Sequence, residues 1–205
     1  LGVYRLVLER SFICNKHSLC CLFPSWYLWT SRVVQKTDYT MRIAFTGPES
    51  CGKSTMAQWC AQQIDLPLSE EFAREYLKDK VDYEKNDLDE ITNGQLADWL
   101  LKGNQFVADT EMTVMKIWSE FRYQHVSTLI LDACATQNFD HYFLCAPDIP
   151  WEPDPLRENP SNRQELFELY EKELIKMKRP FTVLKGSLKD RQNVVKVTLE
   201  KVQKP

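Results

Sequence analysis

The segment Gly47-Pro48-Glu49-Ser50-Cys51-Gly52-Lys53-Ser54 follows a short apolar run, Arg42–Thr46, and precedes an amphipathic stretch that begins near Lys53. A GxxxxGK[ST] pattern between a strand and a helix limits what this chain can fold into more than any other feature in it. Its glycines let the main chain curl so that successive N–H groups point inward, making a concavity for anions. Lys53 brings a mobile positive charge to the β- and γ-phosphates, and the Ser54 hydroxyl suits the shell of a Mg²⁺ ion. The helix adds its positive N-terminus. Residues Gly47 to Ser54, with Thr55 extending them, are therefore expected to hold a nucleoside triphosphate.

Apolar runs and amphipathic helical patterns alternate from Met41 onward, which predicts an α/β domain with a largely parallel sheet. After Arg42–Thr46, further strands are expected at Leu66–Ser69, Gln105–Ala108 (ending at Asp109), His141–Cys145 and Phe181–Leu184. Between them, Leu88, Ile91, Leu96, Trp99 and Leu100 predict one buried helical face, and Gly103 its C-terminus. Helical pattern resumes over Met112–Phe121 and Val126–Thr136. Ser161 with Gln164 reads as a capping box opening a helix that turns Leu166, Phe167, Tyr170, Leu174 and Met177 inward. Gly186 stops the fifth strand, and Leu188, Val195, Leu199 and Val202 mark the last helix.

The first forty residues do not share this pattern. They hold five basic side chains against two acidic ones, whereas the whole chain has 26 basic and 29 acidic residues and a net charge of −3. They also carry Cys14, Cys20 and Cys21, three of seven cysteines, and precede the first methionine, Met41. A targeting segment is one reading, but Pro24 interrupts its apolar part and no small-residue cleavage site follows. An upstream extension of poor order is the other, with the functional domain spanning residues 41–205. The acidic balance offers no general attraction to a nucleic-acid backbone, and no apolar run is long enough to span a bilayer. Seven cysteines without CxxC spacing fit free thiols in a reducing cytoplasm.

Catalytic groups are sought where the strands end. Asp109 closes the third strand beside Thr110 and Glu111, at the edge that faces a bound nucleotide, where a carboxylate can hold Mg²⁺ or orient a nucleophile. A helix N-cap would look the same. Glu71, Arg74 and Glu75 recur at spacings of three and four, as an ion-pair ladder also would. The loop after the fourth strand holds five of the chain's ten prolines, Pro147, Pro150, Pro153, Pro155 and Pro160, and Arg157 and Arg163 follow its Ile149–Leu156 part. Such a braced flap suits bringing positive charge to the γ-phosphate and excluding water. Trp151 within it reads equally as a packing anchor.

Met41–Thr55 (MRIAFTGPESCGKST), Glu71–Leu77 (EFAREYL), Asp109–Glu111 (DTE), Lys116–Glu120 (KIWSE) and Tyr142–Arg157 (YFLCAPDIPWEPDPLR) stand in one order, followed by Arg163-Gln-Glu-Leu-Phe. Together, from Met41 to near Lys201, they resemble a NadR-like AAA-type ATPase/kinase module related to nicotinamide riboside kinases. The resemblance implies a five-stranded P-loop fold of strand order 2-3-1-4-5 with a lid after the fourth strand. It also implies ATP-dependent phosphorylation of a ribosyl hydroxyl of nicotinamide riboside. By position, Glu71 and Arg74 match a substrate-side motif, Asp109 and Glu111 a DTD motif, and Arg157 and Arg163 the lid arginines. The loop Gly186–Arg191, with Ser187 and Arg191, falls where such folds hold adenine. DTE for DTD lengthens the second acid by one methylene and leaves its role open. The forty leading residues have no room for the nucleotidyltransferase domain of bifunctional relatives.

These readings combine into one mechanism. Lys53 and a Mg²⁺ on Ser54 and Asp109 neutralise the phosphates, and Arg157 with Arg163 stabilises the transition state. Glu71 orients or deprotonates the acceptor, a role it and Asp109 could exchange. Glu70, Glu71, Glu75 and a tryptophan, Trp118 or Trp151, would form an acidic aromatic pocket for a pyridinium. A kinase for another nucleoside and a nucleotide-gated binding module are the rival readings. The sequence leaves oligomeric state open.

Overall fold

The computed structural model describes residues 40–154, 157 and 159–202; expectations for residues 1–39 lie outside the described residues. Five strands, β1 (Met41–Thr46), β2 (Leu68–Ser69), β3 (Gln105–Asp109), β4 (His141–Cys145) and β5 (Phe181–Leu184), form one sheet in the order β2-β3-β1-β4-β5. Every pairing is parallel. Parallel strands need crossover helices, so both faces of the sheet are covered and the middles of the strands are largely apolar.

Alternation along the strands sorts the two cores. Ile43, Phe45, Val107, Phe143 and Cys145 face α1 (Lys53–Ile64) and α7 (Leu188–Val202). Ala44, Phe106, Ala108, Tyr142 and Leu144 face the other side, under α3 (Lys85–Lys102), α4 (Met112–Tyr123), α5 (Thr128–Thr136) and α6 (Arg163–Lys176). A short α2 (Phe72–Leu77) follows β2. Edge-on contacts Trp99–Phe139, Phe106–Phe139 and Phe139–Tyr142, at 5.1–5.8 Å, fill this second core.

Several local expectations are corrected. The second strand is only Leu68–Ser69, because Pro67 supplies a carbonyl to Val107 but has no N–H to give. Leu100 is 82% exposed: the buried stripe of α3 runs through Leu88, Ile91, Gln95 and Trp99, and the next residue turns to solvent. Leu188 is likewise exposed, at the start of α7. The capping box expected at Ser161 is not formed; α6 starts one residue later, with Asn162 at its N-cap and no side-chain cap. A capping box does occur at Glu84 and Asp87, opening α3. α5 begins at Thr128, where the Ser127 hydroxyl accepts from the Ile130 N–H.

Candidate functional site

β1 and β3 end side by side, with Phe45 paired to Asp109, so the loop after β1 and the turn after β3 share one edge. Gly47 has a φ of 129°, and a Cβ there would lie 2.7 Å from the Cys145 carbonyl oxygen. No larger residue fits this close approach. Ser50 (φ 51°) and Gly52 (φ 83°) are also left-handed, and such residues turn successive amides to one side of a loop. The Cys51 side chain is buried in the core, so this position offers the loop its main chain.

Lys53 folds back over the loop, donating to the carbonyls of Gly47 (3.0 Å) and Pro48 (2.9 Å). Burial works against its charge, but Cys51, Glu71 and Asp109 outweigh burial and raise its pKa above the ordinary value. The ammonium therefore stays charged.

Asp109 is 5% exposed and lies beside the Ser54 side chain. Burial first, then the nearby Glu71 carboxylate, push its pKa up to about 6, against the pull of Ser54, Lys53 and Arg74. Its Oδ1 has no hydrogen-bond partner among the described residues, nor does the buried Oγ1 of Thr110. Thr110 takes a φ of 110°, a glycine-like conformation that costs about 1–3 kcal/mol and recurs where chains hold ligands. Orphaned oxygens beside Ser54 fit a hard divalent ion such as Mg²⁺, which takes few protein ligands and completes its shell with phosphate and water. The N-cap alternative for Asp109 does not hold, because Glu111 occupies that position.

Glu111 settles the second acid of the DTE motif. It is fully buried; Oε1 accepts from the Thr46 hydroxyl (2.7 Å), and Oε2 from Thr113 N (2.7 Å), Thr113 Oγ1 (2.7 Å) and Gln137 Nε2 (2.5 Å). Both oxygens are spent inside the fold, so Glu111 ties β1, α4 and α5 together rather than touching a substrate.

Beyond the loop opens a cavity of about 470 Å³. Glu71, Arg74, Ile117, Trp118, Phe121 and Tyr170 are among its walls. Glu71 Oε2 accepts from Arg74 Nε (3.0 Å), and Arg74 Nη1 donates to Asp154 (3.1 Å). Trp118 Nε1 donates to the Tyr83 hydroxyl (2.8 Å), and the two rings meet edge-on at 5.1 Å. Arg122 reaches the same wall with its guanidinium 4.2 Å from the centre of the Tyr83 ring. Glu70 and Glu75 are exposed and line none of this space, so the expected acidic pocket reduces to Glu71.

The proline-rich segment straps the loop. Glu152 N donates to Ser50 Oγ (2.9 Å) and Asn159 N to Glu49 Oε2 (3.0 Å). Arg163 donates to the carbonyls of Ser50 (3.1 Å) and Ile149 (3.0 Å), with its guanidinium 5.6 Å from the Trp151 ring centre. Trp151 is thus a prop for Arg163 and is absent from the cavity wall. Arg157 donates to the Glu152 carbonyl and does line the cavity.

Ser187 and Arg191 do not present themselves to a base. The Ser187 hydroxyl donates to Asp190 (2.5 Å) and caps α7. Arg191 is 2% exposed and donates to the carbonyls of Cys51 (2.7 Å), Ala146 (3.0 Å) and Gly186 (3.1 Å), and to Asp148. A guanidinium so enclosed holds loops in place. Phe121, Arg122 and Tyr170 line the cavity without having been marked for it by the sequence, since periodicity identifies an inward residue without saying whether core or cavity lies there.

Residues 42–191 match a family of AAA domains. No curated protein sequence matches significantly. Among solved structures, NadR in complex with NR superposes with a TM-score of 0.68 at 20% identity, covering 82% of this chain and 53% of that one. The chain thus spans about half the length of the NadR chain it matches. Thymidylate kinase from Ehrlichia chaffeensis (TM-score 0.56, 13% identity) is covered over 98% of its length and 77% of this chain. Deoxyadenosine kinase from M. mycoides with products bound (0.55, 16%) is covered over its full length and 80% of this chain. The fold is that of P-loop kinases.

Proposed function

Because the chain belongs to the AAA_28 family of AAA domains, and its phosphate loop opens onto an aromatic cavity, we propose that it is an ATP-dependent kinase. The acceptor we assign is nicotinamide riboside, phosphorylated on its ribosyl hydroxyl to the mononucleotide. One observation carries this reading: the phosphate loop with Lys53, the Glu71 carboxylate, Trp118 and Phe121 all line one cavity, and the Asp109 carboxylate is buried near Lys53 and Glu71. A triphosphate tail and an aromatic base fit its two ends. The NR-bound NadR structure shares the fold and supports the choice of acceptor.

The residue roles follow from position. Loop amides and the Lys53 ammonium hold the β- and γ-phosphates, placing the γ-phosphorus toward Glu71. Glu71 accepts the proton of the attacking hydroxyl, and Arg74 holds that carboxylate in place through the 3.0 Å bond. Arg157, already at the cavity wall, meets charge that builds on the transferring group, whereas Arg163, spent on the Ser50 and Ile149 carbonyls and absent from the cavity wall, holds the loop. Ser54 and Asp109 would hold Mg²⁺, which when bound neutralises phosphate charge. Asp109 must be ionised for this, so activity falls as pH drops below about 6.

A second reading has its own support. Arg74 and Arg122 line the cavity, and none of its lining acids, Glu49, Glu71 and Glu152, is on the α4 wall with Trp118 and Phe121, which favours an uncharged base over a pyridinium cation. Mass spectrometry of products from a nucleoside pool with ATP and Mg²⁺ tests all readings. Nicotinamide mononucleotide supports the first and another nucleotide the second. ADP without any phosphorylated nucleoside overturns both in favour of a nucleotide-gated module.

A further inference from the structure

Tyr170 differs from every other polar side chain in the cavity. It lies on α6, one turn beyond Leu166, and is 4% exposed, packed in the core with Val114, Ile117 and Leu166. Its hydroxyl makes no hydrogen bond to any described residue, yet it is not among the sealed orphan atoms; it opens onto the cavity. Tyr142 provides the contrast: its hydroxyl is equally unpartnered but fully enclosed. A buried hydroxyl without a partner carries a desolvation penalty unless a ligand or water relieves it. Its place between two helices locates it. α6 starts against the phosphate loop, where Arg163 donates to the Ser50 carbonyl, and Tyr170 lies seven residues, about 10 Å, further along. It shares the cavity wall with Val114 of α4, one turn before Trp118. Burial keeps the phenol protonated, so it is a donor. A ligand atom meeting it there lies between the phosphate loop and the aromatic side chains. In a nucleoside that is the sugar.

We propose that Tyr170 is a specificity-determining residue that donates a hydrogen bond to a sugar hydroxyl other than the one phosphorylated. This rests on the nucleoside-kinase reading for its substrate class. The chemistry follows from the enclosure: a wall of Val114, Ile117 and Leu166 offers no competing partner, so a sugar lacking that hydroxyl leaves the phenol unpaired. Sites that hydrogen-bond a substrate hydroxyl reject analogues lacking it far more strongly than apolar pockets reject a missing methylene.

The test is a cycle between protein and ligand hydroxyls, measured as binding without ATP. Wild type, Tyr170→Phe and the control Tyr142→Phe are titrated with nicotinamide riboside, adenosine, and the 2′- and 3′-deoxy forms of adenosine. Removing one particular sugar hydroxyl is expected to weaken wild-type binding about tenfold. Tyr170→Phe is expected to bind the complete nucleoside about tenfold more weakly and to lose that discrimination. Tyr142→Phe should keep it. Because no protein partner is lost, Tyr170→Phe should melt no lower than wild type. Unchanged discrimination in Tyr170→Phe, or wild-type protein that binds none of the four nucleosides, overturns the proposal. Product mass spectrometry on the same samples separates the two claims. Tyr170-dependent binding without phosphorylated product sinks the kinase reading alone, and phosphorylation indifferent to Tyr170→Phe sinks this one alone.

Discussion

At one end the cavity is lined by nine consecutive residues, Gly47 to Thr55, which offer chiefly main chain; at the other it is assembled from single side chains on α2, α4 and α6. The first end is one stretch of chain, anchored by tight geometry, such as the 2.7 Å that a Cβ on Gly47 would leave to Cys145, and braced from outside by Arg163 and Arg191. The second depends on three helices being placed by the whole core. The phosphate end is thus set by one braced stretch of chain, and the acceptor end by the packing of three helices. A family can keep the former while changing the latter.

The sharpest way to break this contrast is Lys53→Ala. It should lower the rate of phosphoryl transfer about a thousandfold while acceptor binding is kept, as read by ADP release and by nucleoside titration. Arg191→Ala strikes the loop from behind. It strands the Cys51, Ala146 and Gly186 carbonyls and Asp148, and should cost about 4 kcal/mol in urea unfolding.

Asp109→Asn should act with opposite signs on activity and stability. The folded pKa of about 6 stands above the ordinary 3.8, so the native state binds the proton more tightly. The stability contributed by that proton is fully present below pH 3.8 and is lost as pH rises through 6. A neutral amide at pH 7 thus removes a penalty on the order of 3 kcal/mol, and the variant should melt higher than wild type while losing turnover. A lower melting temperature at pH 7 would show that Asp109 is not strained by its ionisation.

At the other end, Trp118→Ala should raise the acceptor KM about tenfold and leave that for ATP alone, since it removes a stacking surface. The smallest effects discriminate two helix starts. Glu84→Ala should cost about 1 kcal/mol through the lost capping box, whereas Ser161→Ala should lie within about 0.5 kcal/mol of wild type.

Those last two variants also mark how far the sequence could be read. The five strands, the phosphate loop and the placing of Asp109 at a strand end were legible because each depends on residues close in the chain, whereas the strand order came only with the family resemblance. Glu111 was not: whether an acid after a strand faces ligand or fold is decided by Thr46 and Gln137, 65 and 26 residues away. Arg191 was misplaced for the same reason, since its partners come from three loops. At Ser161 the local pattern was off by one residue: α6 starts at Arg163, whose side chain bonds the Ser50 and Ile149 carbonyls, partners 113 and 14 residues away that no local pattern contains.

The single guanidinium of Arg191 fastens the loop after β1, the segment leaving β4 and the turn after β5 to one another. Three loops pinned in this way form a cradle that is already set before nucleotide arrives. Little ordering entropy then remains to be lost on association, and nucleotide capture should proceed at a pace governed by diffusion instead of by rearrangement of the chain.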